Sequence, residues 1–212
     1  MQSQSNIIHC YDKTAAEYGA RYMNELAHKP LDRLLLQSFA AENKNKGTLL
    51  DLGCGPGQTT RFLADAGMTE ILGTDLSPGM VETAKQLNQS LRFETADMLS
   101  LHYPENSFGS ALAFYAIVHF TEEQVKTAFA EINRVLKPGG QFLFSFHTGT
   151  GTVHLDEFLG ETVNIDFRFF ETEQILTLLK ETGFTVVDCL ERRPYPDAEY
   201  PSIRAYIRAA KI

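Results

Sequence analysis

Leu49-Leu50-Asp51-Leu52-Gly53-Cys54-Gly55-Pro56-Gly57-Gln58-Thr59-Thr60 decides how the chain is read. A short apolar run ends around an acidic residue and passes into a turn carrying three glycines. A helical pattern follows, with Thr59 or Thr60 as the expected N-cap. A strand entering such a turn and then a helix sets backbone N–H groups and the positive end of a helix at a strand's carboxyl edge. In open α/β sheets ligands bind at that edge. Glycine suits the turn because it accepts positive φ and carries no Cβ to hold a ligand off the backbone. The dinucleotide fingerprint needs a third glycine, or alanine, three places after the second. Here that place is Gln58, and Gly57 comes one residue early. Asp51 also stands where a carboxylate would repel a pyrophosphate.

Outward from this stretch, strand and helix patterns alternate. Strands are expected at 48–52, 71–75, 91–95, 111–115, 141–146, 185–192 and 203–209. Between them, helices are expected over 60–66, closed by Gly67, and from the Ser77–Pro78 start to about Leu87. A third follows the Thr121/Gln124 capping box, with Val125, Phe129, Ile132 and Leu136 as its stripe, and stops at Lys137-Pro138-Gly139-Gly140. A fourth is expected over 171–182, closed by Gly183. Residues 147–170 show no clear periodicity and read as a long functional loop. The last two strands follow one another without a helix, so the final strand runs antiparallel. Upstream, Ala15, Tyr18, Tyr22 and Leu26 mark an amphipathic helix over 11–29, capped by Asp12. Leu31, Leu34, Leu35 and Phe39 mark a second helix after Pro30. The expectation is one α/β domain: a doubly wound seven-stranded sheet, mostly parallel with the last strand antiparallel, behind N-terminal cap helices.

Composition narrows the classes of function. The chain has 212 residues, 43% hydrophobic and 22% charged, enough for one sizeable core. No apolar run approaches the roughly 20 residues of a membrane span, and the first residues do not read as a secretory signal. A formal charge of −8 without a basic run argues against nucleic acid as partner. The Arg192–Arg193 pair reads as a solvated strand end. Cys10, Cys54 and Cys189 have neither metal spacing nor an even count, so no metal is expected and a reducing cytoplasm is the simplest location.

The glycine stretch resembles motif I of the class I S-adenosylmethionine-dependent methyltransferases, an acidic residue followed by x-G-x-G-x-G. The likeness extends to Asp75, about twenty residues beyond the turn, to Asp97 in Thr95-Ala96-Asp97-Met98, and to Lys137-Pro138-Gly139-Gly140 before the fifth strand. It covers 48–146 strongly and the remainder in outline. The opening Tyr11-Asp12-Lys13-Thr14-Ala15-Ala16-Glu17-Tyr18 is similar to the lid of the small-molecule branch (methyltransferase types 11 and 25). Gly109 departs from the pattern, since many relatives carry Asp there.

The resemblance implies a Rossmann-like sheet in 47–212, a helical cap or lid in 1–46, and a substrate-side loop at 147–170. It also implies S-adenosylmethionine as cofactor, with S-adenosylhomocysteine as product. Asp51, Gly53, Cys54, Gly55 and Gly57 would hold the cofactor's amino end, and Asp75 the ribose hydroxyls. Asp97 and Met98 would meet adenine, with Leu76, Met80 and Phe114 as walls and Tyr18 and Arg21 reaching from the lid. A carboxylate suits the ribose position because it accepts two hydroxyl protons; capping the following turn is the plainer role for Asp75. His119 and His147, at carboxyl edges, are the candidate general bases. Tyr11, Tyr115, His154 and Arg168 are the candidate acceptor contacts. Arg168, Arg193 and Arg204 could pair with an acidic acceptor, though structural or solvated roles are simpler for each. The expected activity is methyl transfer to a small molecule by in-line displacement, in a monomer or homodimer with no nucleic-acid or membrane partner. A nicotinamide-dependent oxidoreductase and a non-catalytic cofactor-binding regulator stay open as alternatives.

Overall fold

The architecture was read from a computed structural model, which describes residues 3–196 and 198–212. In chain order the elements are α1 (Gln4–Tyr22), a 3₁₀ turn (Glu25–His28), α2 (Pro30–Asn43), β1 (Leu49–Leu52), α3 (Gln58–Asp65) and β2 (Ile71–Asp75). There follow α4 (Pro78–Leu87), β3 (Arg92–Thr95), β4 (Phe108–Phe114), α5 (Glu122–Val135) and β5 (Leu136–Thr148). The chain closes with β6 (Thr152–Phe158), β7 (Glu161–Arg168), α6 (Thr172–Glu181), β8 (Phe184–Arg192) and β9 (Ile203–Lys211).

Seven strands form one sheet in the order β3-β2-β1-β4-β5-β9-β8. Neighbours from β3 to β5 pair in parallel, and β9 pairs antiparallel with both β5 and β8. The chain winds outward from β1 to β3 and then returns to β4. The glycine turn after β1 therefore opens at the point where strand order reverses, and there a crevice forms.

Both faces of the central strands are buried, which is why they read as apolar runs rather than alternations. Leu50, Leu52, Ala111, Ala113, Phe142 and Phe144 face α5 and α6, where they meet Phe129, Ile132, Ile175 and Leu179. The alternate residues Leu49, Leu112 and Leu143 face the other layer, with Leu36 and Phe39 of α2 and Leu63 of α3. Phe142 stacks on Phe144 with ring centroids 4.7 Å apart, and Phe129 closes over Phe144 at 5.1 Å. Among the described residues no helix is long and apolar enough to cross a membrane.

Local signals hold at most boundaries. Ser77 accepts the Met80 N–H at 3.0 Å and Pro78 opens α4. Thr121 and Gln124 make both bonds of a capping box. Gly67 (φ 101°) ends α3, with the Met68 N–H returning to the Leu63 carbonyl at 3.1 Å. Gly109 is explained by space: a Cβ there would collide with the Lys46 carbonyl.

The first helix with its cap, the cap of α3, the end of α5 and the 147–170 segment are corrected, four places in all. The first helix starts at Gln4, capped by Ser3, and ends at Tyr22 rather than running over 11–29. Asp12 does not cap it; its Oδ1 accepts from Ser77 Oγ at 2.6 Å and Gly79 N at 2.8 Å, which ties α1 to the start of α4. Neither Thr59 nor Thr60 caps α3, because left-handed Gly57 (φ 88°) holds that position. The Thr60 hydroxyl donates instead to Asp51 Oδ2 at 2.6 Å. Leu136 leaves the helical stripe to begin β5, and ladder pairing skips from Phe108↔Leu136 to Ser110↔Gln141 across the Lys-Pro-Gly-Gly bend.

The fourth correction concerns 147–170, which folds into the hairpin β6–β7, a two-stranded sheet of its own. Its two-residue turn is Leu159 (φ 51°) and Gly160 (φ 83°). Positive φ at both central positions suits a hairpin's twist but favours Asn or Gly in the first place. Leucine there conceals the turn from sequence.

Thr121→Ala removes one capping bond and should cost about 1 kcal/mol of stability, read as a lower denaturant midpoint with unchanged slope.

Candidate active site

The rims of β1, β2, β3, β4 and β5, closed over by α1 and the hairpin, bound a cavity of about 300 Å³. Its first half is built on the glycine turn. Gly53 (φ 65°) and Gly55 (φ 54°) take the left-handed conformation that the turn requires. A Cβ on Gly53 would lie 2.5 Å from Cβ of Ala116, so no larger residue fits. The role of Gly57 differs from that expected. It lies behind the turn, off the cavity wall, where a Cβ would meet Asn88 and Phe93.

Three carboxylates face this half. Asp51 is buried with the Thr60 hydroxyl as its donor, and burial pushes its carboxyl up to about 7. Asp75 accepts from Gly55 N and Ser77 N, each at 2.9 Å, so it both braces the glycine turn and caps the next one. Burial raises its carboxyl too, against those two bonds. Asp97 accepts Leu99 N at 2.9 Å and the Gln4 side-chain amide at 2.7 Å. Leu76, Met80, Met98, Cys54 and Phe114 supply the walls, and Tyr18 reaches in from α1. The Cys54 thiol, buried beside Asp75 and Asp51, is pushed well above its usual value and stays protonated. The cations among the described residues lining the cavity are Lys29, paired with Glu25, and Arg204, beside Glu199, and neither pairs with Asp51, Asp75 or Asp97.

The second half lies beyond β4. Tyr11 Oη is 2.7 Å from His119 Nε2, and His119 Nδ1 is 2.7 Å from the Asp166 carbonyl of the hairpin. A carbonyl only accepts, so Nδ1 carries the ring hydrogen and Nε2 presents its lone pair to the Tyr11 hydroxyl. Burial holds His119 down at about 4, hence neutral near pH 7. Tyr115 sits at φ 54°, a costly conformation for a non-glycine residue, and its hydroxyl lies 2.9 Å from that of Tyr206. His147 contacts the Ser202 hydroxyl at 2.7 Å and is held down at about 4 by burial and by the nearby charges of Arg204 and Lys29.

Three candidates fall elsewhere. Arg21 pairs with Glu17 on the outer surface of α1. His154 is exposed on β6 between Asp166 and Asp156, whose carboxylates raise its pKa. Arg168 lies off the cavity wall, its N–H donating to the Val118 carbonyl at 2.7 Å to fasten the hairpin to the sheet. Arg193 is exposed, as expected, but its neighbour is not. Arg192 donates to Asp32 at 2.8 Å and to Glu199 at 2.6 Å, and its guanidinium lies over the Tyr195 ring at 4.1 Å. Arg204 approaches Glu199 at 3.2 Å, and Tyr206 donates to Asp32 at 2.7 Å. Asp32, Lys29, Glu25, Gln58 and Tyr200 line the cavity and were not among the expected site residues; Arg204, for which a structural or solvated role was the simpler expectation, lines it too. Asp32 meets its partner Arg192 across 160 residues of sequence, whereas Lys29 and Glu25 pair within one helical turn. Only the place of Arg204, at the start of an antiparallel strand and so on the carboxyl rim, was a signal.

A glycine turn with acidic residues at a switch point defines a nucleoside-cofactor-binding α/β domain. Residues 49–140 match the family described as a methyltransferase domain. An uncharacterized protein of Methanocaldococcus jannaschii is 28% identical over 205 residues, covering 84% of this chain and 75% of that protein. An uncharacterized methyltransferase of Bacillus subtilis is 32% identical over 143 residues, covering 65% of this chain and 55% of that protein, so the chain spans about half of that relative's length. Among solved structures, magnesium protoporphyrin IX methyltransferase from Synechocystis with S-adenosylmethionine bound aligns at TM-score 0.75 and 15% identity, covering 100% of this chain and 98% of that one. Residues 49–140 thus carry a methyltransferase domain, and the chain as a whole shares the fold of S-adenosylmethionine-dependent methyltransferases.

The residues fit that cofactor. A donor bearing a sulfonium and an ammonium is matched by Asp51, Asp75 and Asp97, whereas a pyrophosphate would face carboxylates that pair with no cation. An ammonium near Asp51 favours its ionised form, so binding below pH 7 should expel a proton. S-Adenosylhomocysteine affinity should rise with pH up to about 7 and then level off, and calorimetry should find Asp51→Asn flat across that range.

Proposed function

We propose that the chain transfers a methyl group from S-adenosylmethionine to a small-molecule acceptor, with Asp51 and Gly53 holding the donor's amino end, Asp75 its ribose and Asp97 its adenine. The observation that carries this reading is the pair of carboxylates flanking the glycine turn, Asp51 buried and Asp75 half-buried, held by hydroxyl and backbone donors rather than by an ion pair. When bound, the donor supplies a methyl group activated by its sulfonium, and the protein's work is alignment behind that methyl. The nicotinamide alternative is disfavoured by the same carboxylates.

The acceptor's proton leaves through Tyr11 and His119. An acceptor O–H or N–H placed against Tyr11 Oη gives its proton to that oxygen while the Tyr11 hydroxyl proton passes to His119 Nε2. The Asp166 carbonyl holds Nδ1–H and so keeps the ring in the tautomer that can accept. In this reading α1 and α2 form the lid, with Asp12 latching α1 over the donor side and the hairpin supplying the acceptor wall through Phe158 and Phe167. The negative charge supports the absence of a nucleic-acid partner, and a monomer or homodimer in the cytoplasm remains the expectation.

In a thermal-shift comparison S-adenosylhomocysteine should stabilise the protein and nicotinamide dinucleotides should not; the reverse would sink the reading. Labelled donor over a metabolite panel separates an enzyme from a binding-only regulator. Tyr11→Phe and His119→Ala should each lower kcat about 100-fold, the lower end for acid–base catalysis, with S-adenosylhomocysteine affinity unchanged by calorimetry.

A further inference from the structure

We propose that the far end of the cavity, bounded by Lys29, Tyr115, His147 and Arg204, is a subsite for an anionic group of the acceptor, a carboxylate or a phosphate monoester. This rests on the methyltransferase reading and names the class of molecule it acts on. Arg204 is 3% exposed and Lys29 8%, yet both line the cavity. Cations this deep need partners, and theirs are incomplete. Lys29 gives one N–H to Glu25 at 2.5 Å and has two to spare. Arg204 gives Nη1 to the Ser202 carbonyl at 2.7 Å. Its Nε is buried and, though 3.2 Å from Glu199 Oε1, is not aligned for a hydrogen bond.

The neighbouring carboxylates are engaged by other donors. Glu199 takes both Nη atoms of Arg192 and the Tyr195 N–H. Asp32 takes Arg192 and Tyr206 through Oδ1, and Oδ2 has no donor. Glu25 takes Lys29 and Gln58. The spare cationic donors lie against one ring: Lys29 Nζ is 5.5 Å and the Arg204 guanidinium 6.0 Å from the centroid of Tyr115. Topology explains the placement. β9 runs antiparallel, so Arg204 stands opposite His147 in register at the rim where the parallel strands end. The neutral His147 beside the two cations adds a polar edge without adding charge.

The test uses the full chain saturated with S-adenosylhomocysteine and titrated at constant ionic strength with inorganic phosphate, acetate or tetramethylammonium. One of the two anions should raise the melting temperature of the complex, and the larger shift tells phosphate from carboxylate. Tetramethylammonium should not. Lys29→Gln and Arg204→Gln should each weaken that anion's affinity at least tenfold while S-adenosylhomocysteine affinity stays within twofold. Since Arg204 also braces Glu199, Lys29→Gln is the independent arm. No shift with either anion, a shift that survives Lys29→Gln, or a shift with the cation instead would overturn the subsite and leave the donor site standing. Failure of S-adenosylhomocysteine itself to bind would remove the methyltransferase reading and the subsite with it.

Discussion

The structure depends on a cost built into its centre: two carboxyl groups, Asp51 fully buried and Asp75 half-buried, sit at the switch point of the sheet. Neither has a cation beside it. A carboxylate moved from water to an apolar surrounding either finds strong donors or gives up its charge. Asp51 has one hydroxyl donor, and Asp75 has two backbone N–H groups. A ligand that brings positive charge and hydroxyl groups relieves what the fold leaves unsatisfied. The preference for a sulfonium donor over a pyrophosphate is thus set before any ligand arrives.

The same logic runs in reverse across β4. There the spare groups include donors on Lys29 and Arg204 beside the lone Oδ2 acceptor of Asp32, and the two histidines are kept neutral by burial. The cavity is polarised, acidic beside the glycine turn and donor-rich at the far end, with the Tyr11–His119 pair on the acceptor side. Such polarity orients a small acceptor as well as binding it, and orientation is where a transferase gains much of its rate.

The donor half was legible because it is local. Gly53, Asp75 and Asp97 stand at fixed offsets from strand ends, and each offset places a group on the carboxyl rim. Ser77, Thr121 and Gly67 were legible for the same reason, as caps act within four residues. The acceptor half was hidden because it is assembled at long range. Arg192 read as solvated because nothing in sequence shows Asp32, 160 residues away, closing around it together with Glu199. His154 and Arg168 were placed in the cavity because 147–170 was taken for an irregular loop. Folded as a hairpin, the segment alternates its side chains. A register shift between Leu155 and Glu157 brings Phe158 onto the inward face with Phe167, while His154 faces solvent.

The bond between Gln4 and Asp97 has one more implication. A glutamine amide and an exocyclic amine present the same kind of NH₂ group, and the first turn of α1 already lends one to the carboxylate assigned to adenine. A base settling there replaces its like, so the tally of satisfied partners is the same before and after. Under the proposed assignment, the exchange asks only that the chain's leading turn give up one hydrogen bond.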